Sequence, residues 1–221
     1  MPWLLRADSA HQTQANTTRY RRFNARAVAE IRSPAFGTPP RNFLLTSAIS
    51  MARFVAFLRG VRPMNLSMAD LKRCLETAGF TEVKTVLSSG NAAFTAPGKS
   101  PAAVAKIVES AMAKQLGRTF HTIVRPQAEL EVLLESDPYA GFKLPPNAKR
   151  VVTFCRTAMQ PRKPLPVALD TARVLTAKGA EAFSVYVPSP QGPVFMKLIE
   201  TTFGSDVTTR TWETVKKCAK A

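Results

Sequence analysis

The sequence is poor in the residues on which most hydrolytic and metal chemistry depends. Two histidines occur in 221 residues, His11 and His121. A Ser-His-Asp hydrolase would have to be built on His121, and no G-x-S-x-G elbow accompanies it. Three cysteines, Cys74, Cys155 and Cys218, are scattered and odd in number, with no C-x-x-C spacing and no histidine pair nearby. That pattern excludes a disulfide framework and a zinc centre, and it fits a reducing cytoplasm. No run approaches the roughly 18 apolar residues that a membrane helix needs. The longest, "FLLTSAIS" at Phe43–Ser50, is far shorter. Neither a metal nor a cofactor is expected.

Acids are also scarce. Fifteen Asp and Glu face 31 Lys and Arg, a net charge of +16. A basic balance favours contact with nucleic acid or another polyanion. The plainer alternative is a solvated basic surface, because the cations are spread along the chain. Only short clusters occur, such as Arg19–Arg22 and Lys216-Lys217.

The first fifty residues differ from the rest. They hold seven Arg, no Lys and two acids, Asp8 and Glu30, with no persistent apolar period. Met51 then opens directly onto "MARFVAFLRG". Two readings compete: Met51 is the initiator and residues 1–50 are a mis-called, disordered leader, or the segment is an Arg- and Ser-rich targeting peptide. Without it, 24 basic and 13 acidic residues remain, net +11.

From there the pattern is regular. Arg53–Arg59 reads as a strand that stops at Gly60. Ser67 and Asp70 form a capping box for a helix whose apolar face is Met68, Leu71, Leu75 and Ala78, with Gly79 as its stop. Val83–Leu87 and Ala92–Ala96 read as strands around a "SSGN" hairpin. Gly90-Asn91 suits its two-residue turn, although Ser89 and Asn91 could instead point polar groups into a site. Ser100-Pro101 starts a second helix, Gly117 ends it, and Phe120–Val124 is a fourth strand. The glycine-lysine-serine of "APGKSP" is no phosphate loop, because Ala93 stands where the wrapping glycine is needed. The order β-α-β-β-α-β predicts a ferredoxin-like antiparallel sheet with both helices on one face and the other face free to bind or to pack. An RNA-recognition sheet shares that order. Here, however, the third strand carries one aromatic, Phe94, and Phe54 and Phe57 point to opposite faces of the first.

A connecting helix over Ala128–Glu135 leads into "DPYAGFKLPPN", whose prolines and glycine mark a domain boundary. The expected domains are 51–141 and 142–221. The second half reads as a strand at Arg150–Arg156, a short helix near Ala168–Thr176, a strand at Phe183–Val187, a helix at Phe195–Phe203, a strand at Val207–Arg210 and a final helix. It looks like a looser copy of the first half by element order alone, with no repeat of residues. The fold class is therefore α+β: two tandem ferredoxin-like domains, a connecting helix and a C-terminal helix.

Three stretches carry a resemblance: "FVAFLRG" at the first strand, "SSGNAAF" at the hairpin and "TTRTWETVKK" near the end. With "SMADLKRCLETAGFTEVKTVL" between the first two, the chain from Ala52 to Ala221 resembles the bacterial family called domain of unknown function 1697. The matching residues are Arg59, Gly60, Ser89, Gly90, Asn91, Thr208, Thr209, Arg210, Trp212, Thr214 and Val215, with Lys197 matching a lysine before the penultimate helix. Two features depart from the family pattern: "GVRPMNL" lacks the family's glycine pair, and Thr211 replaces an asparagine. The resemblance implies tandem ferredoxin-like domains and no established activity.

These readings make the protein a cytoplasmic binding module for an anionic ligand, whether nucleotide, phosphate ester or nucleic acid. Arg59, Ser89, Asn91, Lys197, Arg210 and Trp212 are its expected site. Arg210 beside the N-terminus of the last helix would supply the fixed charge, and Trp212 would anchor that helix to the core. Two alternatives stand beside it. One is an enzyme acting on a phosphorylated small molecule between the domains, with Lys197 or a carboxylate as acid or base. The other is a structural protein in which the same residues lock the halves together.

Overall fold

The computed structural model describes residues 50–188 and 194–221. The expectations for residues 1–49 lie outside the described residues. Strand β1 (Met51–Leu58) alternates its faces: Phe54, Ala56 and Leu58 turn to one side, Val55 and Phe57 to the other. Helix α1 (Met68–Thr77) starts where the Ser67 hydroxyl accepts the Asp70 N–H at 3.0 Å and donates to the Asp70 carboxylate at 2.7 Å. Strands β2 (Thr81–Thr85) and β3 (Asn91–Pro97), helix α2 (Pro101–Leu116) and strand β4 (Thr122–Pro126) follow. Ser100 caps α2 and Gly117 closes it at φ 65°. The sheet order is β2-β3-β1-β4, antiparallel at every pairing.

Helix α3 (Gln127–Ser136) leads through a loop to the second sheet. That sheet contains β5 (Lys149–Cys155), β6 (Val167–Leu169), β7 (Ala172–Lys178), β8 (Glu181–Tyr186) and β9 (Val207–Thr211), in the order β6-β7-β8-β5-β9. Helices α4 (Val194–Phe203) and α5 (Trp212–Ala219) complete the chain. The helix expected near Ala168–Thr176 is instead the β6–β7 hairpin. Asp170 sits at φ 50° in its turn, and burial alternates through Ala172, Arg173 and Val174 with a period of two. The second half therefore lacks the first helix of the β-α-β-β-α-β order.

Both sheets belong to one compact unit. The helix side of the first sheet packs on α1 and α2, and the outer side of the second packs on α4. Between the sheets lies a third core. Val55, Phe57, Ala93 and Ile123 meet Val152, Phe154, Phe183 and Val185 there, closed by Leu130, Tyr139, Trp212 and Val215. Phe57 stacks on Phe154 with centroids 4.5 Å apart and planes 13° apart. The helix-free face of the first sheet therefore packs. Phe57, which a base-stacking sheet would display, is fully buried.

Candidate functional site

The motif residues converge between the two sheets. Arg210 leaves β9 and crosses to the first sheet. Its Nε donates to Asn91 Oδ1, its Nη1 to Thr208 Oγ1 (2.8 Å) and the Thr209 carbonyl (2.7 Å). Its Nη2 donates to the carbonyls of Leu58 (2.7 Å), Ser89 (3.1 Å) and Gly90 (3.3 Å). The residue is 9% exposed, and its guanidinium lies 5.6 Å over the Phe57 ring. Burial pulls it down to about 10, which leaves it charged at neutral pH. All three of its nitrogens are committed to protein acceptors, and none of these is a carboxylate.

Asn91 is shaped for this role. It is the first residue of β3 and not a turn residue: the connection is residues 86–90, with Leu87 at φ 58° and Gly90 at φ 74°. The Asn91 amide donates to the Val86 carbonyl (2.8 Å) and Ser89 Oγ (3.1 Å), which fixes its oxygen toward Arg210. Gly90 must be glycine, because a Cβ there would stand 2.7 Å from Val61 Cγ2 at a positive φ.

A second arginine answers the first. Arg125, on β4, crosses in the opposite direction. Its Nε donates to Glu181 Oε1 at 2.6 Å and its Nη2 to the carbonyls of Cys155 (2.5 Å) and Ala180 (3.3 Å). Its guanidinium lies 5.7 Å over Phe154. The correspondence is residue by residue. Asn91 pairs with Phe57 in the first sheet and Glu181 with Phe154 in the second. Leu58 follows Phe57, and Cys155 follows Phe154. The absence of a residue repeat, expected from the sequence, is therefore corrected. Arg53, Val55, Phe57 and Arg59 recur as Arg150, Val152, Phe154 and Arg156 at the same spacing. Neither Arg125 nor Glu181 was singled out by sequence. An arginine inside the apolar strand "TIVRP", read with that repeat, is the signal that marks them.

At the end of both sheets lies a charged seam. Arg59 donates to the Ser205 carbonyl and pairs with Glu200 at 3.5 Å; Arg156 donates to the Thr122 carbonyl and pairs with Glu109. His121 sits between them. Its Nε2 approaches Asp206 Oδ1 at 3.0 Å without hydrogen-bond alignment, so the contact becomes an ion pair only when the ring is protonated. Burial and Arg156 lower the His121 pKa, against the opposing pull of Asp206 and Glu109. With His121 neutral, two arginines face three carboxylates, a balance that does not attract an anion.

The structure thus brings together Ser89, Asn91 and Arg210 between the sheets, while Arg59 lies on the seam at their end, and the polar groups of all four are engaged by the protein. Trp212 joins none of these hydrogen bonds. It is buried, with its ring edge-on to Tyr139 at 5.2 Å. Tyr139 comes from the proline-rich connection and donates to the Val151 carbonyl at 2.8 Å. Lys197 is exposed on α4 and makes no ion pair with a described residue. Among the described residues no group of three or more His, Cys, Asp and Glu could hold a metal, and no helix is long and apolar enough to cross a membrane.

A family profile described as "Protein of unknown function (DUF1697)" matches residues 51–183, which take in the whole first sheet and β5 to β7. Among solved structures the chain is similar to the conserved bacterial protein SP0830 from Streptococcus pneumoniae. The two are 18% identical with a TM-score of 0.54, over 77% of this chain and 98% of the other. At that identity the likeness shows the fold alone. No curated protein matches the chain.

Proposed function

The chain belongs to the DUF1697 family of proteins of unknown function, and we propose that it is a binding module for an anionic partner, contacted on its outer surface. One observation carries the reading. Of the 13 lysines, all of them beyond Met51, only Lys72 and Lys216 make an ion pair with a described carboxylate. The arginines take most of the paired carboxylates, including Glu181, Glu109 and Glu200. The lysines therefore face solvent as unmatched positive charge, which raises the local concentration of anions and their rate of encounter.

In this reading Arg59, Ser89, Asn91, Arg210 and Trp212 are the frame that holds the halves together, and Lys197 belongs to the outward cations. The packed Phe57–Phe154 contact argues against a small-molecule enzyme working between the sheets. Both halves are read as ferredoxin-like domains divided at 141/142. Their support is the matching order of β2-β3-β1-β4 and β7-β8-β5-β9, with β6 taking the place of one helix. Three free cysteines, two of them buried, support a reducing, cytoplasmic setting.

The test is a thermal-shift panel on the full chain with nucleotides, phosphorylated metabolites, duplex DNA and RNA, and polyglutamate. At least one anion is expected to raise the melting temperature, less so as salt increases. No shift with any of them at low salt overturns the reading.

A further inference from the structure

The groove between α1 and α2, on the outer side of the first sheet, is lined by lysines and small residues. Thr77, Ala78, Lys106, Ile107, Ser110, Lys114 and their neighbours line a depression of about 420 Å³. A second depression, of about 140 Å³, shares Ala78 and Ile107 with it and ends at Lys99. The two form one track holding three lysines and no carboxylate. Lys99, Lys106 and Lys114 are all exposed and make no ion pair with a described residue. The nearest acids in sequence are already engaged: Glu76 with Lys72 at 3.7 Å, and Glu109 with Arg156. Ser110 adds a hydroxyl, the Thr77 hydroxyl donates to the Arg73 carbonyl at 2.8 Å, and Ala78 and Ala111 keep the floor low.

We propose that this track binds the phosphate backbone of a nucleic-acid duplex without reading its sequence. The proposal rests on the anion-binding reading above and gives it a place and a chemical class. Lysine ammonium and hydroxyl groups are the donors that phosphate oxygens accept. The one aromatic residue in the track, Phe80, is 5% exposed and stacks on Phe94 in the core, so no ring is offered to an unpaired base. An acidic protein segment would also be attracted by charge. However, Lys106 and Lys114 lie two turns apart on α2, and Lys99 precedes its Ser100 cap at the far end of the same track, a line of cations that fits a regularly charged rod better. At 1.5 Å per residue, Lys106 to Lys114 spans about 12 Å, or roughly three to four steps of a strand rising 3.4 Å each.

The probe is a fluorescently labelled 12-base-pair duplex titrated with the full chain, followed by anisotropy at several salt concentrations. Polyglutamate of similar length is the competitor. The K99E/K106E/K114E variant is compared with K143E/K163E/K178E, which makes the same change in net charge at exposed lysines elsewhere. The groove variant is expected to lose tenfold or more in affinity, and its slope of log K against log salt should fall by about 2 to 3, at about 0.9 per phosphate contact. The control should lose far less. Equal losses in the two variants overturn the groove while leaving the anion reading intact. Stronger binding of polyglutamate than of duplex assigns the surface to an acidic protein and overturns the nucleic-acid proposal. A wild-type chain that binds neither probe overturns the anion reading itself. Unchanged melting temperatures in both variants show that the losses are not losses of fold.

Discussion

Arg125 and Arg210 stand on opposite sides of a single aromatic stack, each reaching from the last strand of its own sheet to the carbonyl that follows the phenylalanine of the other. The two crossings differ in one respect. Arg125 meets the carboxylate of Glu181 and Arg210 the neutral amide of Asn91. A buried guanidinium without a counterion persists only because six neutral acceptors replace its water.

Removing Arg210 should therefore unsettle the contact between the sheets. Arg210→Ala leaves the carbonyls of Leu58, Ser89 and Gly90 without this donor and opens a cavity beside Phe57. A loss of about 3–5 kcal/mol is expected, since each buried acceptor left unsatisfied costs about 1–3 kcal/mol and the cavity adds to it. Arg210→Lys should recover only part of it, since one ammonium cannot reach acceptors spread over a planar fork. Urea midpoints measure both. A loss under about 1 kcal/mol for the alanine variant would show that Arg210 does not hold the sheets together.

The aromatic stack should show its own coupling. Phe57→Ala and Phe154→Ala should each cost about 3–5 kcal/mol, because both rings are fully buried. The double mutant should cost less than the sum by about 0.5–1.5 kcal/mol, the interaction of a ring pair beyond its burial. Additive losses would mean that the rings fill space independently.

Two glycines with nearly the same backbone make an internal control. Gly60 lies at φ 75° and Gly90 at φ 74°. A Cβ at Gly60 would meet nothing within 4 Å, whereas one at Gly90 would meet Val61 Cγ2 at 2.7 Å and Leu58 Cβ at 3.1 Å. Gly60→Ala should cost about 1–2 kcal/mol for the left-handed conformation alone. Gly90→Ala should cost clearly more, since Val61 must shift and Gly90 also anchors the Leu58 N–H. Equal melting temperatures for the two variants would show that the crowding is relieved without cost.

The first sheet was legible in the sequence because its signals are local. Ser67, Gly79, Ser100 and Gly117 bracket the two helices, and strand alternation fixes the rest. The second sheet was less so. Between Leu165 and Lys178, apolar residues satisfy a short helix and a hairpin about equally, and Asp170 at positive φ decides between them without a distinctive local pattern. The candidate site was half legible. Arg59, Asn91 and Arg210 stood out as polar residues at strand ends, but whether they face a ligand or one another depends on contacts 119 to 152 residues apart. The repeat of Arg53–Arg59 in Arg150–Arg156 was present to be read. Only the reciprocal crossings of Arg125 and Arg210 give it meaning.

The seam predicts how stability depends on pH. His121 is partly buried and faces Asp206, Glu109, Arg156 and Arg59. Burial and Arg156 outweigh the carboxylates and hold its pKa below the ordinary imidazole value of 6.5. Between the two values the unfolded chain binds more protons than the folded one, so stability rises with pH in that window and falls as the solution is acidified through 6.5. Urea midpoints between pH 7.5 and 5.5, above the range in which carboxylates titrate, should decline toward acid. The decline should flatten in His121→Gln, which keeps a polar side chain and cannot take up the proton. An increase in stability on acidification over the same range would mean that the Asp206 contact governs, with the charged ring paired, and that the balance of forces at this seam is the reverse of the one described.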